Sequence, residues 1–156
     1  GLPSVVGAKI GRPDVPVVGF SGDGAFGIAV NELTAIGREE WPAVTQIVFR
    51  NYQWGAEKRN STLWYDDNFV GTELDTQVSY AGIAKACGLQ GVVAKTMDEL
   101  TEALHTAIKD QMENGKTTLI EAMINQELGE PFRRDAMKKP VAIAGITVSD
   151  MREQAV

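Results

Sequence analysis

The chain has little from which to build a covalent or soft-metal scaffold. It holds one cysteine, Cys87, and one histidine, His105, among 156 residues. A single thiol excludes an internal disulfide, and without a Cys/His cluster a structural zinc site is excluded as well. Such usage fits a reducing, cytoplasmic setting. No apolar run approaches the roughly 20 residues that a membrane helix requires, and the N-terminus does not read as a secretory signal. Basic residues are also in deficit: 15 Lys and Arg stand against 21 Asp and Glu, a net charge of −6. Nucleic-acid binding depends on a cationic face that displaces counterions, so the balance argues against that class. A local basic pocket for a small anion stays open.

What is present is ordinary for a globular domain: 44% hydrophobic and 23% charged residues, in a length that suits one core. The first residue is Gly1 rather than Met, and residues 2–10 already read as helix. The expectation is therefore a domain cut from something longer. Residues 15–20 form an apolar run after Pro13, as a buried strand would. Residues 25–36 read as one helix, with Phe26, Ala29, Val30 and Leu33 on a shared face. A second strand is expected at 43–49. Residues 51–72 show no period and read as a long loop, of the kind that is usually functional. A helix from Asp75 or Thr76 carries Tyr80, Ile83, Ala84 and Cys87 on one face and stops at Gly88. A short strand at 91–94 is followed by Thr96, with Glu99 three residues on, in a capping-box pattern. The next helix buries Leu100, Ala103, Leu104, Ala107 and Ile108. Residues 117–124 are the last strand, and from Asn125 the tail is irregular, with Arg133, Arg134, Lys138 and Lys139. Alternating strands and helices predict an α/β domain, a parallel sheet with helices on both faces.

Ligands of such sheets bind beyond the carboxyl ends of the strands. The first such end carries Ser21-Gly22-Asp23-Gly24-Ala25-Phe26-Gly27. A glycine-rich strand-to-helix turn suits an anion, because backbone N–H groups and the helix dipole face it. Gly22, Gly24 and Gly27 also satisfy the dinucleotide fingerprint, and Glu39 and Glu40 lie near the place of its ribose-binding acid. Asp23 argues against that reading, since a carboxylate repels a pyrophosphate unless a cation lies between. With Mg²⁺ present the carboxylate becomes a ligand. Asn51, 28 residues further and at the next strand end, offers a second oxygen, and the Gln53 backbone carbonyl a third. Elsewhere the bland readings are preferred: Cys87 as an inert thiol on an apolar face, His105 as a solvated residue, and Gly115-Lys116-Thr117 as no phosphate loop because position 110 is Asp.

Gly22-Asp23-Gly24, then a helix, then a strand ending in Asn51, resembles the signature of the thiamine-diphosphate-dependent enzyme family. In that signature an Asn-Asn pair follows Gly-Asp-Gly by a little under thirty residues. Asn51 matches the second Asn, and Arg50 stands in place of the first. The segments Ala8-Lys9 and Glu32-Leu33 also resemble the family. Within it, residues 50–60 and 128–140 are similar to the acyltransferase branch that converts sulfoacetaldehyde and phosphate into acetyl phosphate and sulfite.

The resemblance implies thiamine diphosphate and Mg²⁺ as cofactors and a thiamine-diphosphate-binding fold. Residues 1–124 would be the diphosphate-binding domain, N-terminally truncated, and 125–156 a C-terminal tail. Gly22, Asp23, Gly24, Ala25, Phe26, Asn51, Gln53, Trp54, Gly55 and Ala56 would bind the cofactor, with Asp23, Asn51 and Gln53 on the metal. For the anionic substrates the candidates are Arg50, Lys58, Arg59, Arg133 and Arg134. The glutamate that activates the cofactor is expected in a separate domain, so no catalytic residue is assigned here. A homodimer or homotetramer through such domains follows, with no nucleic-acid or membrane partner. An acetolactate-synthase-like enzyme or a 2-oxo-acid decarboxylase is the alternative, with a dinucleotide-binding module or a non-catalytic assembly domain behind it.

Overall fold

The computed structural model describes residues 1–38 and 40–128. The chain divides into two compact units. The first comprises Gly1–Gln53 and Glu73–Gln126, the second Trp54–Thr72 together with Glu127–Val156.

In the first unit, strands β1 (Val18–Gly22), β2 (Thr45–Arg50), β3 (Gln90–Ala94) and β4 (Thr118–Met123) form one sheet in the order β1-β2-β4-β3. Every pairing is parallel. Side chains alternate across the sheet, so the two central strands β2 and β4 feed two cores. Val44, Val48 and Leu119 pack on one face with Leu2 and Val6 of α1 (Leu2–Gly11), Phe26 of α2 (Asp23–Ile28), Leu33 and Ile36 of α3 (Glu32–Ile36), and Tyr80, Ala81 and Ala84 of a later helix (Tyr80–Ala86). Ile47, Ala94, Ile120 and Ala122 pack on the other face with Ala107 of the long helix Met97–Glu113, flanked by Leu100, Ala103 and Leu104. The sheet therefore has helices on both faces, as the alternation of elements predicts.

The second unit holds one described helix, α4 (Gly55–Trp64), so the two later helices are α5 (Tyr80–Ala86) and α6 (Met97–Glu113). None of the residues of α4 is buried. A helix with no buried stripe carries no apolar period, which is why 51–72 reads as a loop in sequence. Tyr65 N–H closes its last turn on the Ser61 carbonyl, and Lys58 Nζ lies 5.3 Å from the centre of the Phe69 ring.

Other boundaries differ from the sequence reading as well: β1 covers Val18–Gly22 rather than 15–20, and β2 starts at Thr45 rather than at 43. Residues 25–36 make two short helices rather than one, with tightened i to i−3 bonds from Glu32, Leu33 and Thr34 between them. Phe26 and Leu33 are nevertheless both buried, so the apolar spacing survives the break. Helix α5 starts at Tyr80, not at Asp75 or Thr76, because Ser79 is its cap and accepts from Gly82 N–H. Asp75 instead holds a local turn by accepting from Gln77 N–H at 2.7 Å. The other end of α5 is closed by Gly88 at φ +81°, with Leu89 N–H on the Ala84 carbonyl and Gly88 N–H on the Lys85 carbonyl. Thr96 caps α6, its Oγ accepting from Glu99 N–H, while the Glu99 carboxylate reaches past Thr96 and accepts from Lys95 N–H instead of closing the expected box.

The entry into β1 is shaped by a side chain from the far end of α6. Gln111 accepts from Val17 N–H at 2.7 Å and donates to the Val17 carbonyl and to Thr45 Oγ, both at 2.9 Å. Gln111 is buried, gives the Val17 N–H its acceptor, and shares the Val17 carbonyl with Thr45 N–H of β2. Replacing it by leucine leaves buried polar groups unpaired and is expected to cost about 2–3 kcal/mol. A lower urea midpoint at unchanged m-value, measured on the full chain, checks this.

Candidate functional site

The carboxyl ends of β1 and β2 meet at Asp23. Parallel register sets Gly22 opposite Phe49, so the first residue of α2 lies beside the Arg50-Asn51-Tyr52 run that leaves β2. Asp23 is only 1% exposed. Its Oδ2 accepts from Arg50 Nη1 at 3.1 Å, Asn51 N–H at 3.1 Å and Tyr52 N–H at 2.7 Å. Its Oδ1 accepts from Gly24 N–H at 3.0 Å. Three donors on one oxygen and one on the other fix the carboxylate plane and leave lone-pair capacity on Oδ1.

Tyr52 makes this possible through its backbone. Its φ of +60° is in the left-handed region, which a bulky residue rarely enters and which costs ~1–2 kcal/mol. That conformation turns its N–H onto Asp23, while the Tyr52 carbonyl accepts from Leu74 N–H at 2.8 Å. Asn51 Oδ1 accepts from Gln53 N–H at 3.3 Å, and the Asn51 carbonyl accepts from Gln126 Nε2 at 3.0 Å. Gln53 is buried and donates from Nε2 to the Gln126 carbonyl.

Arg50 requires a correction. As a substrate-anion candidate it would need an accessible guanidinium, but it is 1% exposed and faces two carboxylates. Nη1 holds Asp23, Nε lies 3.4 Å from Glu121 Oε1, and Nη2 donates to the carbonyls of Asp75 and Val78. Its Cζ lies over the Tyr52 and Tyr80 rings, 4.1 and 4.9 Å from their centres. Glu121 in turn accepts from Ser79 Oγ and Ala81 N–H. Glu121, Ser79, Tyr52 and Tyr80 are site residues that the sequence reading missed. A signal existed: an acid within the apolar strand Leu119-Ile120-Glu121-Ala122 demands a buried cation, and Arg50 ends another apolar strand.

The other expected residues are placed as follows. Gly22 closes β1, and Gly24, Ala25 and Phe26 lie in α2. The Phe26 ring turns into the core, edge-on to Tyr80 with centroids 5.0 Å apart, so only its backbone is available to a ligand. Trp54, Gly55 and Ala56 open α4 in the second unit, where Lys58 and Arg59 follow. Arg59 donates to the Leu128 carbonyl within that unit. Arg133 and Arg134 lie outside the described residues. Cys87 is half-buried against the core, and His105 is exposed.

The donor chemistry fits a hard dication. Asp23, Arg50 and Glu121 together carry net −1 in a buried setting, which a cation offsets. The available ligands are oxygens, from a carboxylate and an amide, as Mg²⁺ prefers. No group of three His, Cys, Asp or Glu side chains suited to a metal occurs among the described residues.

Tyr80 completes the cluster by donating its O–H to the Asp23 carbonyl at 3.1 Å. Burial pushes its phenol above the ordinary value of 10.0, opposed by the Arg50 charge and helped by Asp23 and Glu121. The folded state thus holds this proton more tightly than the unfolded chain. The resulting stabilisation is fully present below pH 10.0 and is lost as pH rises through the raised value. Tyr80→Phe is expected to cost about 1 kcal/mol at neutral pH through the lost hydrogen bond. It should also flatten the decline above pH 10.0 in urea midpoints measured against pH.

Comparison with known proteins bears on the family and the fold. The sulfoacetaldehyde acetyltransferase of Roseovarius nubinhibens is 86% identical over 156 residues, 100% of this chain and 26% of that protein. The acetolactate synthase isozyme 2 large subunit of Escherichia coli is 31% identical over 108 residues, 69% of this chain and 20% of that protein. The chain thus spans about a quarter or less of the relatives it matches. The thiamine diphosphate-dependent 4-hydroxybenzoylformate decarboxylase of Rhodococcus jostii RHA1 superposes with a TM-score of 0.67 at 26% identity, covering 83% of this chain and 23% of that one. Residues 1–122 match the family described as thiamine pyrophosphate enzyme, C-terminal TPP binding domain, and to that family this chain belongs.

Proposed function

We propose that the chain is the diphosphate- and Mg²⁺-binding part of a thiamine-diphosphate-dependent acetyltransferase, which converts sulfoacetaldehyde and phosphate into acetyl phosphate and sulfite. The observation that carries the substrate is 86% identity held over all 156 residues to a protein of that name, including the segment beyond residue 122. Identity to the acetolactate synthase is 31% and covers 69% of the chain, so the synthase or decarboxylase reading is the weaker one.

In this reading Asp23 and Asn51 hold Mg²⁺ through side-chain oxygens and Gln53 through its carbonyl. Gly22, Gly24, Ala25 and Phe26 present backbone to the diphosphate, where the absence of side chains on the two glycines permits close approach. Trp54, Gly55 and Ala56 extend the cofactor contacts. When bound, thiamine diphosphate supplies the carbon nucleophile and electron sink, and the metal neutralises the diphosphate. Over the whole reaction the C–S bond breaks with its electron pair leaving on sulfite, the aldehyde carbon is oxidised to acyl, the neighbouring carbon is reduced to methyl, and phosphate takes the acyl group.

Both substrates are anions, so binding them calls for cationic donors. Lys58, Arg59, Arg133 and Arg134 keep that role, and Arg50 leaves it. Asp23 and Glu121 are both paired with Arg50, so neither is a free acid or base. The activating glutamate is accordingly assigned to another domain, in a cytoplasmic homodimer or homotetramer. No described helix is long and apolar enough to cross a membrane.

The full-length protein that carries this sequence, loaded with thiamine diphosphate and Mg²⁺, should release sulfite from sulfoacetaldehyde only when phosphate is present, and form acetyl phosphate. Carbon dioxide from pyruvate with no sulfite would keep the cofactor and replace the substrate. Asp23→Ala should weaken Mg²⁺-dependent cofactor binding by about 100-fold or more in calorimetric titration.

A further inference from the structure

Arg50 and Asp23 alone would make a closed, neutral pair with no net attraction for a cation. Glu121 changes that. It sits on β4 opposite Val48, two residues before Arg50 on the same face of the sheet, and its Oε1 lies 3.4 Å from Arg50 Nε. It is held in turn by Ser79 Oγ at 2.9 Å and Ala81 N–H at 3.1 Å, at the start of α5. All three charged side chains are at least 97% buried, so their charges are weakly screened.

We infer that Glu121, acting through Arg50, is a positioning residue for the dication. It keeps the buried triad at net −1, and it anchors the guanidinium so that Arg50 occupies only the Oδ2 side of Asp23. Oδ1, whose one partner among the described residues is Gly24 N–H, then remains open to a metal. The remaining Arg50 contacts support this: two backbone carbonyls take Nη2, and Cζ lies over the Tyr52 and Tyr80 rings, which together resist a swing of the guanidinium across both carboxylate oxygens. The inference rests on the Mg²⁺ reading above and concerns how this chain sets the affinity for that ion.

The test is the dissociation constant for Mg²⁺ at saturating thiamine diphosphate, read by tryptophan fluorescence or calorimetry on the full-length protein, with thermal unfolding recorded alongside. Glu121→Gln keeps shape and removes one charge. Its Mg²⁺ dissociation constant should rise about tenfold or more. The double variant Arg50→Asn with Glu121→Gln removes one charge of each sign and restores net −1. It should return the constant to within about threefold of wild type, even with a lower unfolding temperature. A purely structural role predicts the opposite, a double variant no better than the single one. Unchanged Mg²⁺ affinity in Glu121→Gln would overturn the inference, and so would a double variant as weak as the single. Should Glu121→Gln fail to fold, Glu121→Asp keeps the charge and is expected within about threefold of wild type, with a tenfold loss overturning the inference. A wild-type protein that binds no Mg²⁺ would overturn the metal reading itself, and with it this inference.

Discussion

A guanidinium buried between two carboxylates ties the first unit together at its functional end. Arg50 leaves β2, Asp23 opens α2 after β1, and Glu121 lies on β4. Each charge alone would carry a desolvation penalty of several kcal/mol in the interior. Together they offset one another, and backbone groups of Gly24, Asn51, Tyr52, Ala81, Asp75 and Val78 hydrogen-bond to them. Three secondary elements and the start of α5 are thereby locked in register at the end of the sheet where ligands of this fold class bind. Removing Arg50 would leave two carboxylates facing each other in the interior, and removing either carboxylate would strip the guanidinium of one of its two ion pairs.

The backbone around this cluster is strained where the chemistry needs direction. Tyr52 adopts a left-handed conformation that glycine would enter freely. Tyrosine is kept there by what it provides: an N–H on Asp23 and a ring against Arg50. Asn51 is presented by the same turn, braced through its carbonyl by Gln126 and through its side chain by Gln53 N–H. Such over-determination holds a conformation that local preference alone would not choose. The close approach of α5 to β3 is a simpler constraint. A Cβ at Gly91 would come within 2.1 Å of the Ala81 carbonyl oxygen, so that position admits no side chain.

The fold was legible in the sequence wherever burial imposed a period. The stripe Leu100, Ala103, Leu104 and Ala107 defines α6, and the apolar runs around Val48 and Ile120 define the two central strands. It was illegible where burial was absent. Helix α4 buries nothing, so its sequence carries no stripe and resembles a loop. The start of α5 was misplaced because Asp75 and Ser79 are both competent caps, and only packing chose between them. Asp23 and Asn51 were legible as a pair because their residue types and spacing suit an oxygen-ligand site.

The sequence by itself determined the α/β alternation, the glycine-rich turn carrying Asp23, and the presence of an asparagine oxygen one strand further on. Those follow from local preference and from short-range order along the chain. The fate of Arg50 was decided only by tertiary structure. As a residue type it suits a surface anion site as well as a buried ion pair, and nothing local distinguishes the two. Parallel pairing of β2 with β4 placed Glu121 on its face of the sheet, and pairing with β1 brought Asp23 alongside. Once two carboxylates converge on a guanidinium out of contact with water, electrostatics holds it there, and the arginine becomes part of the scaffold for Asp23.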